Sequence, residues 1–281
     1  MKRTLSCLLS VCGLIAATSA HAQGGPPAGS GPPPQGDTVT VGLGIGVTTS
    51  YDGARDYKVI PGGALLGTVG GHDFRLNGLQ LFVDAIPNDP RRKIDVEFGP
   101  VAGVEFNRTG DVSDRRVEAL GELDTAVELG ARGAVGVRGL FDRTDKLALA
   151  VTGVWDVAGA HGSHVISPSI EYSRVVGRRT FMRLALTGEF VGKKWARYNF
   201  GIDAAGAAVS GLAMHDPDGG LASIGGSVLA THSLSGKRTG WSLFGVASYK
   251  RLQNDIAASP IVRDTGSPNQ FFGSIGLGYT F

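Results

Sequence analysis

His161-Gly162-Ser163-His164, with Asp156 a few residues upstream, brings together residue types that nucleophilic hydrolysis or metal binding would use. A catalytic triad is assembled in space rather than along the chain, and His-x-x-His in a tight loop has no third ligand beside it, so the spacing supports neither chemistry. The segment reads as a solvated external loop. A second set, Asp95, Glu97, Glu105, Glu128, Arg132, Arg138, Arg183 and Glu189, is spread over consecutive segments and mixed in sign. It suits either a charge-selective pore lining or a lumen filled by compensating ion pairs, and limited interior room favours the pairs. Gly42, Gly44 and Gly46 alternate with Val41, Leu43, Ile45 and Val47. They read as narrow lumen packing, because a dinucleotide loop needs a following helix. Gly-x-Ser-x-Gly is absent, and no catalytic, cofactor-binding or metal-binding residue is expected.

Composition narrows the classes further. The chain has 281 residues, 27 basic against 25 acidic, and 44 glycines, about twice the usual share of roughly 7%. With 19% charged residues and a mean hydropathy of +0.06, it is neither a disordered polyelectrolyte nor a bundle of apolar helices. A formal net charge of +2 leaves no basic excess for nucleic acid. Met1-Lys2-Arg3, the apolar run Leu5 to Ala17 and the small-residue end Ser19-Ala20-His21-Ala22 form a secretory signal peptide, residues 1–22, cut after Ala22. The run is too short for an anchor, and Val11 before Cys12 does not suit a lipoprotein signal. Processing removes Lys2 and Arg3, which brings the 27 basic residues level with the 25 acids, and removes both cysteines, Cys7 and Cys12. The exported chain must therefore be held by hydrogen bonds and packing. Residues 23–37, rich in Gly and Pro, cannot bury a core and read as a flexible tail.

From Thr38 the apolar pattern has period two. Ile94, Val96, Phe98, Ala102, Val104 and Phe106 share one face, while Asp95, Glu97 and Glu105 share the other. Eleven such segments occur: 38–48, 57–69, 72–83, 94–106, 124–140, 145–157, 164–176, 179–191, 220–233, 238–251 and 270–281. Most reach the roughly 9–11 residues that cross a bilayer at a tilt. Connections alternate between tight turns and the long stretches 107–123, 192–219 and 252–269, the last three falling outside the cell. Trp241, Tyr249, Tyr279, Phe281, Phe141 and Phe190 lie near segment ends, where interfacial girdles form. The expected fold is all-β, a transmembrane antiparallel up-and-down barrel occupying 38–281. An even count is required, and the alternation slips at Asn77-Gly78 within 72–83. Splitting that segment gives twelve strands, with ten as the alternative. The Ala-rich stretch 198–212 reads as a short helix in an external loop.

The stretches 38–63 (TVTVGLGIGVTTSYDGARDYKVIPGG), 121–133 (GELDTAVELGARG), 198–212 (YNFGIDAAGAAVSGL), 241–252 (WSLFGVASYKRL) and 259–281 (SPIVRDTGSPNQFFGSIGLGYTF) resemble the MipA/OmpV family, the MltA-interacting outer-membrane proteins. SPIVRD followed by Asn-Gln-Phe-Phe is the most specific part. The Gly/Pro tail and the turn DAIPNDPRRK at 84–93 depart from the pattern. The resemblance implies a barrel in the outer membrane of a Gram-negative envelope, surrounded by outer-membrane lipid. For some members it implies a scaffold joining a lytic transglycosylase to a bifunctional penicillin-binding protein, and it implies no catalytic residues. Tyr279 and the terminal Phe281 resemble the signal read by the barrel-insertion machinery. A small-solute channel or a surface receptor is the competing function.

Overall fold

The computed structural model describes residues 36–281 apart from 90, 111 and 238; the expected signal peptide and most of the Gly/Pro-rich tail lie outside them. Twelve antiparallel strands close on themselves, each beside its sequence neighbours, with the last paired to the first. They are β1 Thr38–Thr49, β2 Tyr57–Val69, β3 His72–Asn77, β4 Gln80–Val83, β5 Ile94–Glu105, β6 Ala126–Arg138, β7 Lys146–Asp156, β8 His164–Val176, β9 Thr180–Val191, β10 Gly220–Ser233, β11 Gly240–Leu252 and β12 Asn269–Thr280. Five short helices lie in the connections: α1 Arg115–Glu118, α2 Lys193–Phe200, α3 Ala204–Ser210, α4 Asn254–Ala258 and α5 Pro260–Arg263. The slip in 72–83 is a hairpin between β3 and β4. Gly78 makes its turn with φ +56°, a left-handed conformation that glycine adopts without strain.

Period two becomes lipid-out, lumen-in. Val41, Leu43, Ile45 and Val47 are exposed on the outer wall, as are Ile94, Val96 and Phe98 of β5 and Leu149 and Val151 of β7. Gly42, Gly44 and Gly46 face inward. A Cβ on Gly42 would stand 3.0 Å from the Phe244 ring and 3.1 Å from Ala64 Cβ. Phe244 is itself buried, its ring lying on the inner wall over Gly42 and Gly276. Aromatic rings mark both rims. Trp241, Tyr279 and Phe281 meet edge-to-face in succession, with centroids 5.2 and 4.8 Å apart, at the end carrying both termini. Tyr249 and Phe271, 4.9 Å apart, sit at the other end. Because that other end carries the long connections, it is the external one.

The wall is uneven. Only Leu66 to Val69 of β2 pair with β3, and only Gln80 to Phe82 of β4 pair with β5. Among the described residues, Tyr57 to Leu65 have a strand partner on the β1 side alone. Pro61, which has no N–H to leave unbonded, sits in that stretch. Pro168 likewise interrupts the β8–β9 ladder, where Ser167 and Pro168 have no register partner.

The apolar core sits at the external mouth. The stretch 198–212, expected as one helix, is split by Gly201: α2 ends there and α3 starts after the cap Asp203, whose carboxylate accepts the Gly206 amide at 2.7 Å. Trp195, Ala196 and Phe200 of α2, Ile256 of α4 and Val262 of α5 pack onto Val154, Val165, Val191, Ala222 and Leu252 from the strand ends. A second cluster joins Tyr51, Ala54, Val117, Ile202, Leu212 and Ile261. Ser259 Oγ donates to the Phe200 carbonyl at 2.8 Å, and Gln270 Nε2 donates to the Ala54 carbonyl at 3.1 Å. The SPIVRD and Asn-Gln-Phe-Phe stretches therefore build the cap and pin it to β12 and the first external loop.

The turn between β6 and β7 is closed by Asp145, whose carboxylate accepts the amides of Leu140, Phe141 and Asp142 at 2.8, 2.9 and 3.0 Å. Burial raises the carboxyl pKa, but the three amide donors outweigh it and hold the group below its ordinary value. A lowered folded pKa stabilises above the unfolded value of about 3.9 and is lost as pH falls through the folded one. Asp145→Asn should therefore lower the urea midpoint at pH 7, with the gap to wild type closing below about pH 4; a gap unchanged down to pH 3 would show that the charge is irrelevant. Leu43→Arg, at mid-height on the lipid face, should destabilise the vesicle-inserted barrel by about 2–4 kcal/mol in the same assay.

Candidate functional site

The lumen carries two separate groups of charge. In the half nearer the termini, Glu97 Oε2 accepts Arg75 Nη2 at 2.8 Å and lies 3.6 Å from Arg132 Nε, while its Oε1 accepts Lys146 Nζ at 2.7 Å. Lys146 also holds Asp95, which pairs with Arg138 at 2.8 Å. Arg132 reaches Glu171 at 2.8 Å, and Arg183 closes on the other oxygen of Glu171. The chain of pairs runs through β3, β5, β6, β7, β8 and β9. The Arg75 guanidinium lies 4.4 Å from the centroid of the Phe82 ring, adding a cation–π contact. Inward-facing period-two positions on neighbouring strands fall side by side at one height, which is why residues far apart in sequence meet here.

Five of the eight lumen charges expected from the sequence, Asp95, Glu97, Arg132, Arg138 and Arg183, belong to this network. The other three do not. Glu189 stands near the external end with Lys250, which pairs with Asp52 at 3.1 Å, and Ser223 Oγ donates to its carboxylate. These groups border a cleft of about 40 Å³, room for a few waters. Glu105 and Glu128 meet His161 instead. Arg75, Lys146 and Glu171 were not singled out in the sequence. Arg75 lies in the segment where the alternation slips, Lys146 is the first residue of its strand, and Glu171 follows the Ser/Pro-rich start of β8.

His161 corrects the expectation of a solvated loop. Its side chain is buried, with Nε2 3.7 Å from Glu105 Oε2. The cause is Asp156, whose carboxylate accepts the amides of Ala158, Gly159, His161 and Gly162 and curls 157–163 inward over the mouth. Asp156 is thus a loop cap, and His164 points elsewhere, its ring 6.2 Å from Trp155. Ligand atoms of Glu105, Glu128 and His161 all lie within 4.8 Å of one another, a donor set of the size a metal ion would take. Trp195 Nε1 donates to Glu105 at 3.2 Å and Gln80 Nε2 to Glu128 at 2.9 Å. The imidazole argues against metal. The Ser163 amide donates to His161 Nδ1 at 3.1 Å, so the neutral ring carries its proton on Nε2, whereas a ligating Nε2 needs its lone pair and a proton on Nδ1. Nε2 itself stays 3.7 Å from Glu105 Oε2 and makes no hydrogen bond to a described residue.

The family described as MltA-interacting protein MipA matches residues 41–281. No curated protein matches the chain. Among solved structures, an outer-membrane channel from Pseudomonas putida F1 is 14% identical, with TM-score 0.45 over 88% of this chain and 96% of that one. The CymD monoaromatic hydrocarbon channel is 10% identical, with TM-score 0.41 over 88% and 89%. An anion-selective porin from Comamonas acidovorans is 12% identical, with TM-score 0.37 over 87% and 98%. These are similarities of chain course and carry no argument about solute or activity.

Glu97 is the anion on which three cations converge. Glu97→Ala should destabilise the barrel by about 3–5 kcal/mol, the usual cost of stranding buried charge, seen as a lower urea midpoint. Removing Arg75 as well should recover part of that loss; strictly additive losses would mean that the pair is not coupled.

Proposed function

Because the chain belongs to the MltA-interacting protein (MipA) family, we propose that this outer-membrane barrel is a non-enzymatic anchor for murein-remodelling enzymes. In this reading it holds a lytic transglycosylase, and with it a penicillin-binding protein, at the periplasmic side. The family match is the observation that carries the proposal. Two features of the molecule support it. The lumen is crossed by the Arg75–Glu97–Arg132–Glu171 chain of ion pairs and capped by apolar helices, which suits a structural barrel better than a conduit. The rim carrying the termini offers exposed Arg91, Arg92, Lys93, Arg178, Arg179 and Lys237 beside the exposed apolar Leu140, Phe141 and Leu234. A basic rim with apolar anchors matches an acidic protein face. Tyr279 and Phe281, edge-to-face at that same rim, fit the role of an assembly signal for the barrel-insertion machinery.

The test is capture of purified lytic transglycosylase by the detergent-solubilised barrel. Retention should exceed that on an unrelated barrel and fall several-fold in Arg178→Glu/Arg179→Glu at low salt. Equal retention on both barrels would end the scaffold reading. In planar bilayers the protein should give no steady open-pore current; large steady conductance would favour the channel.

A further inference from the structure

Arg75, Arg132, Arg138 and Arg183 each hold a carboxylate, as buried guanidinium groups do. Arg108, just beyond the external end of β5, holds none. It is 5% exposed, and its Nε and Nη1 are buried without a hydrogen-bond partner. Its guanidinium makes no ion pair with any described residue. The groups that act on its charge are the phenols of Tyr51 and Tyr198, and burial pulls its pKa down from the ordinary value. The Tyr198 hydroxyl is already directed elsewhere, donating to the Asp124 carbonyl at 3.1 Å. The neighbouring Asn107 is turned to other partners, accepting the Asp52 amide at 3.1 Å and donating to Asn199 at 2.7 Å.

The backbone is committed to this placement. Arg108 has φ +50°, an unfavourable value for a side chain of this kind, and its carbonyl accepts the Leu123 amide at 3.2 Å. A strained residue thus keeps a charged group under the cap with no acceptor for its Nε or Nη1 among the described residues. An uncharged side chain would fill the same space without the desolvation, so packing does not account for the arginine. A guanidinium whose Nε–H and Nη1–H find no acceptor in the protein suits the anionic oxygens of a carboxylate or phosphate.

We propose that Arg108 anchors an oxyanion-binding site in the external cap, taking the carboxylate or phosphate group of a small free solute. The buried guanidinium feels the charge of Tyr51, a member of the cap cluster, and of the α2 residue Tyr198, and it is not among the exposed residues of the lipid-facing wall, which favours a free solute over a membrane headgroup. The site is at the opposite end from the periplasmic rim, so the scaffold reading and this one stand or fall separately.

The test uses the full processed barrel, refolded in detergent, with its thermal midpoint followed as sodium chloride is replaced by sodium acetate or inorganic phosphate at fixed ionic strength. Wild type should show a saturating rise with at least one of these anions. Arg108→Gln, checked for folding by heat-modifiable gel mobility, should lose that rise. Arg108→Lys, which keeps the charge without the fork, should shift the half-saturating concentration upward by tenfold or more, and decides the matter if the glutamine variant does not fold. No saturating rise in wild type, or the same rise in all variants, overturns the proposal. Stabilisation by phosphatidylglycerol vesicles but by neither free anion would overturn the free-solute assignment.

Discussion

Lipid offers no hydrogen bonds, so a sheet at membrane depth must satisfy its own backbone, and closure of β12 onto β1 is the act on which everything else rests. Closure fixes which residues face in. It then creates a second demand, because twelve strands enclose more space than their own small side chains fill. The protein meets that demand in two ways. From the terminal end it fills the space with long charged side chains joined across six strands. From the external end it lowers helices carrying Trp195, Phe200, Ile256 and Val262 into the mouth. Between the ions and the hydrocarbon, the buried Phe244 ring packs over Gly42 and Gly276 on the inner wall.

Burying so many ions is tolerable only because each anion is shared. Glu97 alone neutralises parts of Arg75, Lys146 and Arg132, and Glu171 links Arg132 to Arg183. The network therefore ties together strands that are otherwise joined only through their neighbours. Specific registers follow, since slipping one strand by a single residue would turn its charge out into lipid.

The strands were legible because lipid on one side and packed lumen on the other impose strict alternation, and the one lapse, at Asn77-Gly78, marks a true turn. The cap was less so. Its helices have four to eight residues, too few for a helical period to declare itself, and 198–212 hid a break at Gly201. Asp156 and His161 were readable as residue types but not as a folded-in loop, because that fold depends on one carboxylate gathering amides through space. Arg108 carries no sequence signal: only burial without a partner distinguishes it from other arginines.

The short β3–β4 hairpin gives the cylinder a sidedness within the plane of the membrane. Along Tyr57 to Leu65, a stretch that holds Pro61, Gly62 and Gly63, the described strands supply a ladder on one side only, whereas most of the circumference has ladders on both sides of each strand. The wall therefore has a weaker flank, and neighbours diffusing in the bilayer do not meet the same backbone from every direction.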